Sequence, residues 1–83
     1  MPDAALAQIS IEYCGECGDA GVALRAAEEL LTAYEDRIAQ LALIPGWNGV
    51  FEVAVNGKLI FSKTRLGRHA FEGELVRLAG EAL

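Results

Sequence analysis

Cys14-Gly15-Glu16-Cys17 is the one place in this 83-residue chain where residue type and spacing together point to chemistry. Two intervening residues let the sulfurs meet in a disulfide or share a metal. In thiol–disulfide exchange a thiolate attacks a disulfide sulfur, a mixed disulfide forms, and a second thiol resolves it. A cysteine at the start of a helix meets unpaired amides and the positive end of the dipole, which favour thiolate over thiol. Glu16 inside the motif and Asp19 just beyond it oppose that effect and predict a weak oxidant rather than a strong one. Gly15, Glu16 and Gly18 form the motif loop around the two candidate catalytic cysteines.

Other uses of the pair fit less well. A tetrahedral zinc site takes four ligands, and the chain offers Cys14, Cys17 and one distant histidine, His69. A metal would require a dimer giving the motif twice, so none is expected. A disulfide closing so short a loop stabilises little, and inert buried thiols are the remaining alternative. His69 lies in a polar stretch and reads as a surface residue rather than a general base. Glu28, Glu29, Glu72 and Glu74 read as solvated helix faces. Gly15, Gly18 and Gly21 do not make the GxGxxG of a dinucleotide site.

The elements that must position the cysteines follow from periodicity. Ile9, Ile11 and Tyr13 alternate with Gln8, Ser10 and Glu12, the period of a half-buried strand running into the motif. From about Asp19 to Ile38, Ala23, Ala27, Leu30, Leu31, Tyr34 and Ile38 recur at spacings of three and four, which predicts an amphipathic helix. Residues 40–44 are a short apolar run stopped by Pro45-Gly46 and read as a strand. Residues 50–55 and 58–62 flank Asn56-Gly57, the signature of a two-residue hairpin with positive φ at both central positions. In that hairpin Val53 is expected opposite Ile60, with Phe51, Val53, Val55 and Ile60 on one face. Leu59 and Phe61 then fall on the other. Residues 64–69 read as a polar loop, and 70–83 as a second helix that Gly73 and Gly80 weaken.

The order β-α-β-β-β-α predicts an α/β two-layer sandwich: a four-stranded mixed sheet with both helices on one face. A CxxC next to a βαβ unit reads as thioredoxin-like. The open sheet face, carrying Leu59 and Phe61, would suit a homodimer or another partner; scattered surface hydrophobes are the equal alternative. In a thioredoxin-like fold the Trp47-Asn48-Gly49 loop lies beside the motif. Those three residues are candidate contacts for a partner or substrate, and partial packing is the other reading of Trp47.

Length confines the chain to one domain over 8–83, preceded by a short flexible N-terminus of residues 1–7. A net charge of −5 with seven basic residues speaks against nucleic acid and anionic membranes. The first residues lack a basic, apolar leader, and no run approaches a membrane span. A cytoplasmic location is therefore expected, where a cysteine pair is catalytic more often than structural.

Tyr13-Cys14-Gly15-Glu16-Cys17, the long helix, Gly49-Val50-Phe51-Glu52-Val53 and Asn56-Gly57-Lys58-Leu59-Ile60-Phe61-Ser62-Lys63 together resemble the selenoprotein W-like group, also called the Rdx or SelT/SelW/SelH family. The resemblance runs from about Ile9 to Leu83. It implies a thioredoxin-like fold, a glutathione- or thioredoxin-linked role in redox homeostasis, and mixed disulfides with thiol- or disulfide-bearing proteins. No resident cofactor is implied; glutathione would be a co-substrate. In selenoprotein members selenocysteine occupies the place of Cys17, whereas analogy with thioredoxin makes Cys14 the attacking group. Many thioredoxin-fold enzymes also carry a cis proline before the third strand. This chain has Asn48-Gly49 there, with Pro45 the nearest proline, and the resembled family shares the lack, so the resemblance does not imply substrate docking of the thioredoxin kind. A non-catalytic binding module acting through the same surface is the alternative function.

Overall fold

The structure is a computed structural model and describes residues 6–83. Its elements are β1 (Ala7–Cys14), α1 (Ala20–Tyr34), β2 (Ile38–Gly46), β3 (Phe51–Val55), β4 (Lys58–Ser62), α2 (Lys63–Leu66) and α3 (Glu74–Ala82). The strands form one sheet in the order β2-β1-β3-β4. β1 runs parallel to β2 and antiparallel to β3, and β3 is antiparallel to β4. This is the mixed, thioredoxin-like α/β sheet expected from the sequence. Of the tail expected over residues 1–7, residues 1–5 lie outside the described residues, and Ala7 is already a buried member of β1.

Alternation in β1 does what a period of two requires. Ile9 and Ile11 are buried, while Gln8 is exposed and Ser10 and Glu12 are half-buried on the open face. Ala23, Ala26, Ala27 and Leu30 form the buried stripe of α1, and Leu75 and Ala79 that of α3. Both stripes join Ile9, Ile11, Phe51, Val53, Val55 and Phe61 in one core on one side of the sheet. Small alanines let α1 sit close to the strands.

Helix α1 stops at Tyr34, four residues before the expected end, and Glu35–Arg37 form a single 3-10 turn. Ile38 instead opens β2 opposite Ala7, so its apolar side chain serves the sheet. Tyr34 fixes the end of α1 by donating its hydroxyl to the Val76 carbonyl of α3 at 2.8 Å.

The hairpin departs from its expected phase. Val55 pairs with Lys58, and Asn56 and Gly57 take φ of 52° and 82°, as the turn demands. Beyond Ala54–Leu59, however, the register shifts, and Val53 faces Phe61 rather than Ile60. One extra residue in β4, a β-bulge, turns Phe61 into the core and leaves Ile60 half-buried. In this register the Phe61 ring meets Phe51 edge-on with centroids 6.3 Å apart, a pairing worth about 0.5–1.5 kcal/mol beyond burial that Ile60 could not supply. Of the two side chains expected on the open face, Phe61 is therefore in the core and Leu59 remains there, half-buried. Ile44, opposite Glu12 in β2, adds an exposed apolar side chain to that face.

The polar stretch after β4 is also more ordered than a loop. Ser62 caps the four-residue α2 by accepting from the Arg65 amide at 3.3 Å, and Gly67 ends it in a left-handed conformation. The second long helix begins at Glu74 rather than residue 70. Among the described residues no helix is long and apolar enough to cross a membrane.

Candidate functional site

Cys14 is the last residue of β1 and is fully buried, while Cys17 is exposed on the loop that leads into α1. The two are joined in a disulfide, with Cα atoms 5.3 Å apart. Local backbone bonds shape this loop. The Gly18 amide donates to the Gly15 carbonyl at 3.1 Å, and the Asp19 amide donates to the Cys14 carbonyl at 3.2 Å. Gly18 takes φ of 80°, which an L side chain adopts only with strain. Helix α1 then starts with the Ala23 amide bonding to the Asp19 carbonyl at 3.0 Å.

A second loop lies against the first. The Gly15 amide donates to the Gly46 carbonyl at 3.2 Å, and the Glu16 carboxylate accepts from the Asn48 amide at 3.1 Å. Asn48 and Gly49 both have positive φ, and the Val50 amide closes the turn on the Trp47 carbonyl at 3.2 Å. Gly46 must be small, because a Cβ there would come within 2.8 Å of Glu12 Oε2 and 2.9 Å of Val50 Cγ1. The structure thus brings Trp47, Asn48 and Gly49 to the cysteine loop. Trp47 is 71% exposed, so it is not a packing residue.

His69, read from sequence as a surface residue, is half-buried at the other side of the motif. Its ring packs edge-on against Phe51, with centroids 5.2 Å apart, and its Nε2 lies 3.7 Å from Asp19 Oδ2. The segment carrying it is pinned by Arg68, which bonds both oxygens of Glu74 at 2.8 and 3.0 Å and the His69 carbonyl at 3.0 Å. The Arg68 guanidinium also stacks 3.9 Å from the Phe71 ring centroid. Together with the Phe71 amide, it holds the Glu74 carboxyl down to about 2. The one signal in the sequence was Glu74 placed three residues after Phe71, the spacing of a capping carboxylate that reaches back to an amide. Glu74 is accordingly a paired residue rather than part of a merely solvated face.

A groove of about 440 Å³ runs beside His69, between α1 and the segment leading to α3. Among the described residues no group of three or more His, Cys, Asp or Glu side chains converges as a metal ion would need. What the site offers is one exposed and one buried cysteine, a turn presenting an aromatic residue, and an imidazole facing a carboxylate.

Comparison with known proteins gives a consistent picture. The model of the Rdx family matches residues 8–80. "Migration and invasion enhancer 1" from Bos taurus is 33% identical over 69 residues, covering 83% of this chain and 58% of that protein. The Mus musculus protein of the same name is 34% identical over 68 residues, covering 82% and 57%. The chain therefore spans a little over half the length of these curated relatives. A crystal structure of a Bordetella parapertussis protein superposes with a TM-score of 0.90 at 28% identity, covering 94% of this chain and 99% of that one. The selenoprotein W-related protein from Vibrio cholerae superposes with a TM-score of 0.88 at 28% identity, covering 93% and 96%.

Proposed function

The chain belongs to the Rdx family, and on that premise we propose that it is a thiol–disulfide redox protein in which Cys17 exchanges with outside thiols and Cys14 resolves. The observation that carries this is the asymmetry of the pair, with Cys17 exposed and Cys14 fully buried. An incoming thiolate can approach only the sulfur it can reach. In the oxidised protein a glutathione or protein thiolate attacks Cys17 Sγ, the Cys14 sulfur leaves, and a second thiol releases Cys17. In the other direction the Cys17 thiolate attacks a substrate disulfide and Cys14 displaces the product. The family resemblance supports the same choice, since selenocysteine stands at this place in selenoprotein members. The substrates are glutathione or thiol- and disulfide-bearing proteins, and the setting is the reducing cytoplasm, where such a pair cycles.

The test is titration of the purified chain in glutathione buffers of stepped potential, read by mass after alkylation. A reversible two-electron Cys14–Cys17 couple between about −200 and −300 mV is expected, the span of cytosolic thiol carriers. Thiols that never pair, or pair only under harsh oxidant, would remove the redox role.

A second reading rests on Trp47, which is 71% exposed beside the motif. A binding module would use that aromatic turn to hold a partner, with the cysteines incidental or engaged in a mixed disulfide. Replacing both cysteines by serine separates the two readings. Exchange then disappears, while a module keeps its partner.

A further inference from the structure

Two buried polar atoms near the cysteines have no hydrogen-bond partner among the described residues: Asp19 Oδ2 and His69 Nδ1. Asp19 precedes α1, yet its carboxylate does not cap the helix amides as an aspartate at that position ordinarily would. It lies instead beside His69, whose Nε2 is 3.7 Å away, within ion-pair reach and beyond hydrogen-bond length. Asp19 stands two residues from Cys17 and is tied through its amide to the Cys14 carbonyl. A negative charge here penalises a thiolate on the pair. A proton on His69 offsets that charge.

We propose that Asp19 and His69 form a proton-holding pair that governs how readily the Cys17 thiolate forms, with His69 as a positioning residue acting through Asp19. The inference rests on the redox reading above. In the reaction an external dithiol gives up two electrons and two protons and becomes a disulfide. The Cys14–Cys17 bond breaks, Cys14 leaves as a thiol with one proton, Cys17 is left as a thiolate, and the other proton is held by the Asp19–His69 pair. Histidine suits this task because its charge changes near neutral pH.

Other charged groups share the groove with the imidazole. Arg25 and Glu29 from α1 and Glu72 from the facing segment line the same groove. Arg68 is spent on Glu74 and the His69 carbonyl, and β3 contributes only the uncharged Phe51. Asp19 alone among these comes within ion-pair distance of the imidazole.

The experiment measures the rate at which Cys17 of the reduced chain is alkylated by iodoacetamide as a function of pH, for wild type, His69→Asn and Asp19→Asn/His69→Asn. The single variant leaves Asp19 uncompensated, so its profile is expected to move to higher pH by about half a unit or more. The double variant is expected to return to the wild-type position or below it. A single variant that does not move, or a double variant that stays with it, overturns the proposal. The wild-type chain gives a check that needs no variant to fold: at pH 7 the His69 carbon-bound proton signals should shift toward imidazolium values on reduction. Unchanged signals overturn it as well. A wild-type chain with no reversible couple in glutathione buffers would sink the redox reading and this inference together. A chain that cycles normally while His69→Asn leaves the profile in place would sink the pair alone.

Discussion

The Glu16 carboxylate accepts the Asn48 amide at 3.1 Å and so joins the loop that carries the cysteines to the turn that carries Trp47. Trp47 is the single tryptophan of the chain and reports on this link. Glu16→Ala is expected to lower the steady-state fluorescence anisotropy of Trp47, while stability drops by no more than about 1 kcal/mol for one exposed hydrogen bond. Glu16→Gln keeps an acceptor and should keep the anisotropy. If Glu16→Ala leaves it unchanged, the turn is held by its own Val50–Trp47 bond.

The burial asymmetry of the cysteines predicts unequal single variants. Cys14→Ser leaves exposed Cys17, and Cys17→Ser leaves buried Cys14. Alkylation of the native proteins should be faster in Cys14→Ser, by about tenfold or more, because the thiolate fraction and access both set the rate. Mass spectrometry over a time course reads this directly, and equal rates would return the attacking role to Cys14.

The bulge in β4 makes a sharp distinction between neighbours. Phe61 is 2% exposed and packs edge-on against Phe51 at 6.3 Å, whereas Ile60 is half-buried. Phe61→Ala should cost about 3–5 kcal/mol in urea denaturation, and Ile60→Ala markedly less. The reverse ranking would mean that the unbulged register is the true one.

Gly80 lies inside α3, where alanine ordinarily adds up to about 1 kcal/mol of helix stability. Here a Cβ would collide with the Tyr34 hydroxyl, which is held on the Val76 carbonyl. Gly80→Ala is therefore expected to lower the melting temperature. In a Tyr34→Phe background, which removes the colliding oxygen, the same change should be tolerated.

Arg68 and the Phe71 amide hold the Glu74 carboxyl down to about 2, below its usual range. A folded value below the unfolded one means that the carboxylate contributes its full stability above the unfolded value of about 4.3 and loses it as pH falls through about 2. Glu74→Gln should melt below wild type at pH 7, and the gap should close between about pH 4 and pH 2. A gap independent of pH would show that the pair acts through packing alone.

Local signals were strong enough to place most of the fold. The alternation of Ile9 and Ile11 with Gln8 and Ser10, the Asn56-Gly57 turn and the CxxC at a strand-to-helix junction each depend on neighbours a few residues away. Such features can be read from a chain, because backbone period and turn chemistry are local properties. The phase of β4 could not be read in the same way. Choosing Phe61 over Ile60 for the core requires knowing the volume left between α1, α3 and the sheet, which only the packed molecule supplies.

The sequence by itself determined which residues carry sulfur chemistry, what precedes and follows them, and the family pattern around them. Only the tertiary structure decided that Cys14 is sealed while Cys17 is open, that Trp47 stands free beside them, and that His69 faces Asp19 across 50 residues of chain. Burial and long-range pairing follow from how the elements close on one another: Arg68 pairs with Glu74 at 2.8 Å, and His69 beside it lies against Asp19 at the start of α1.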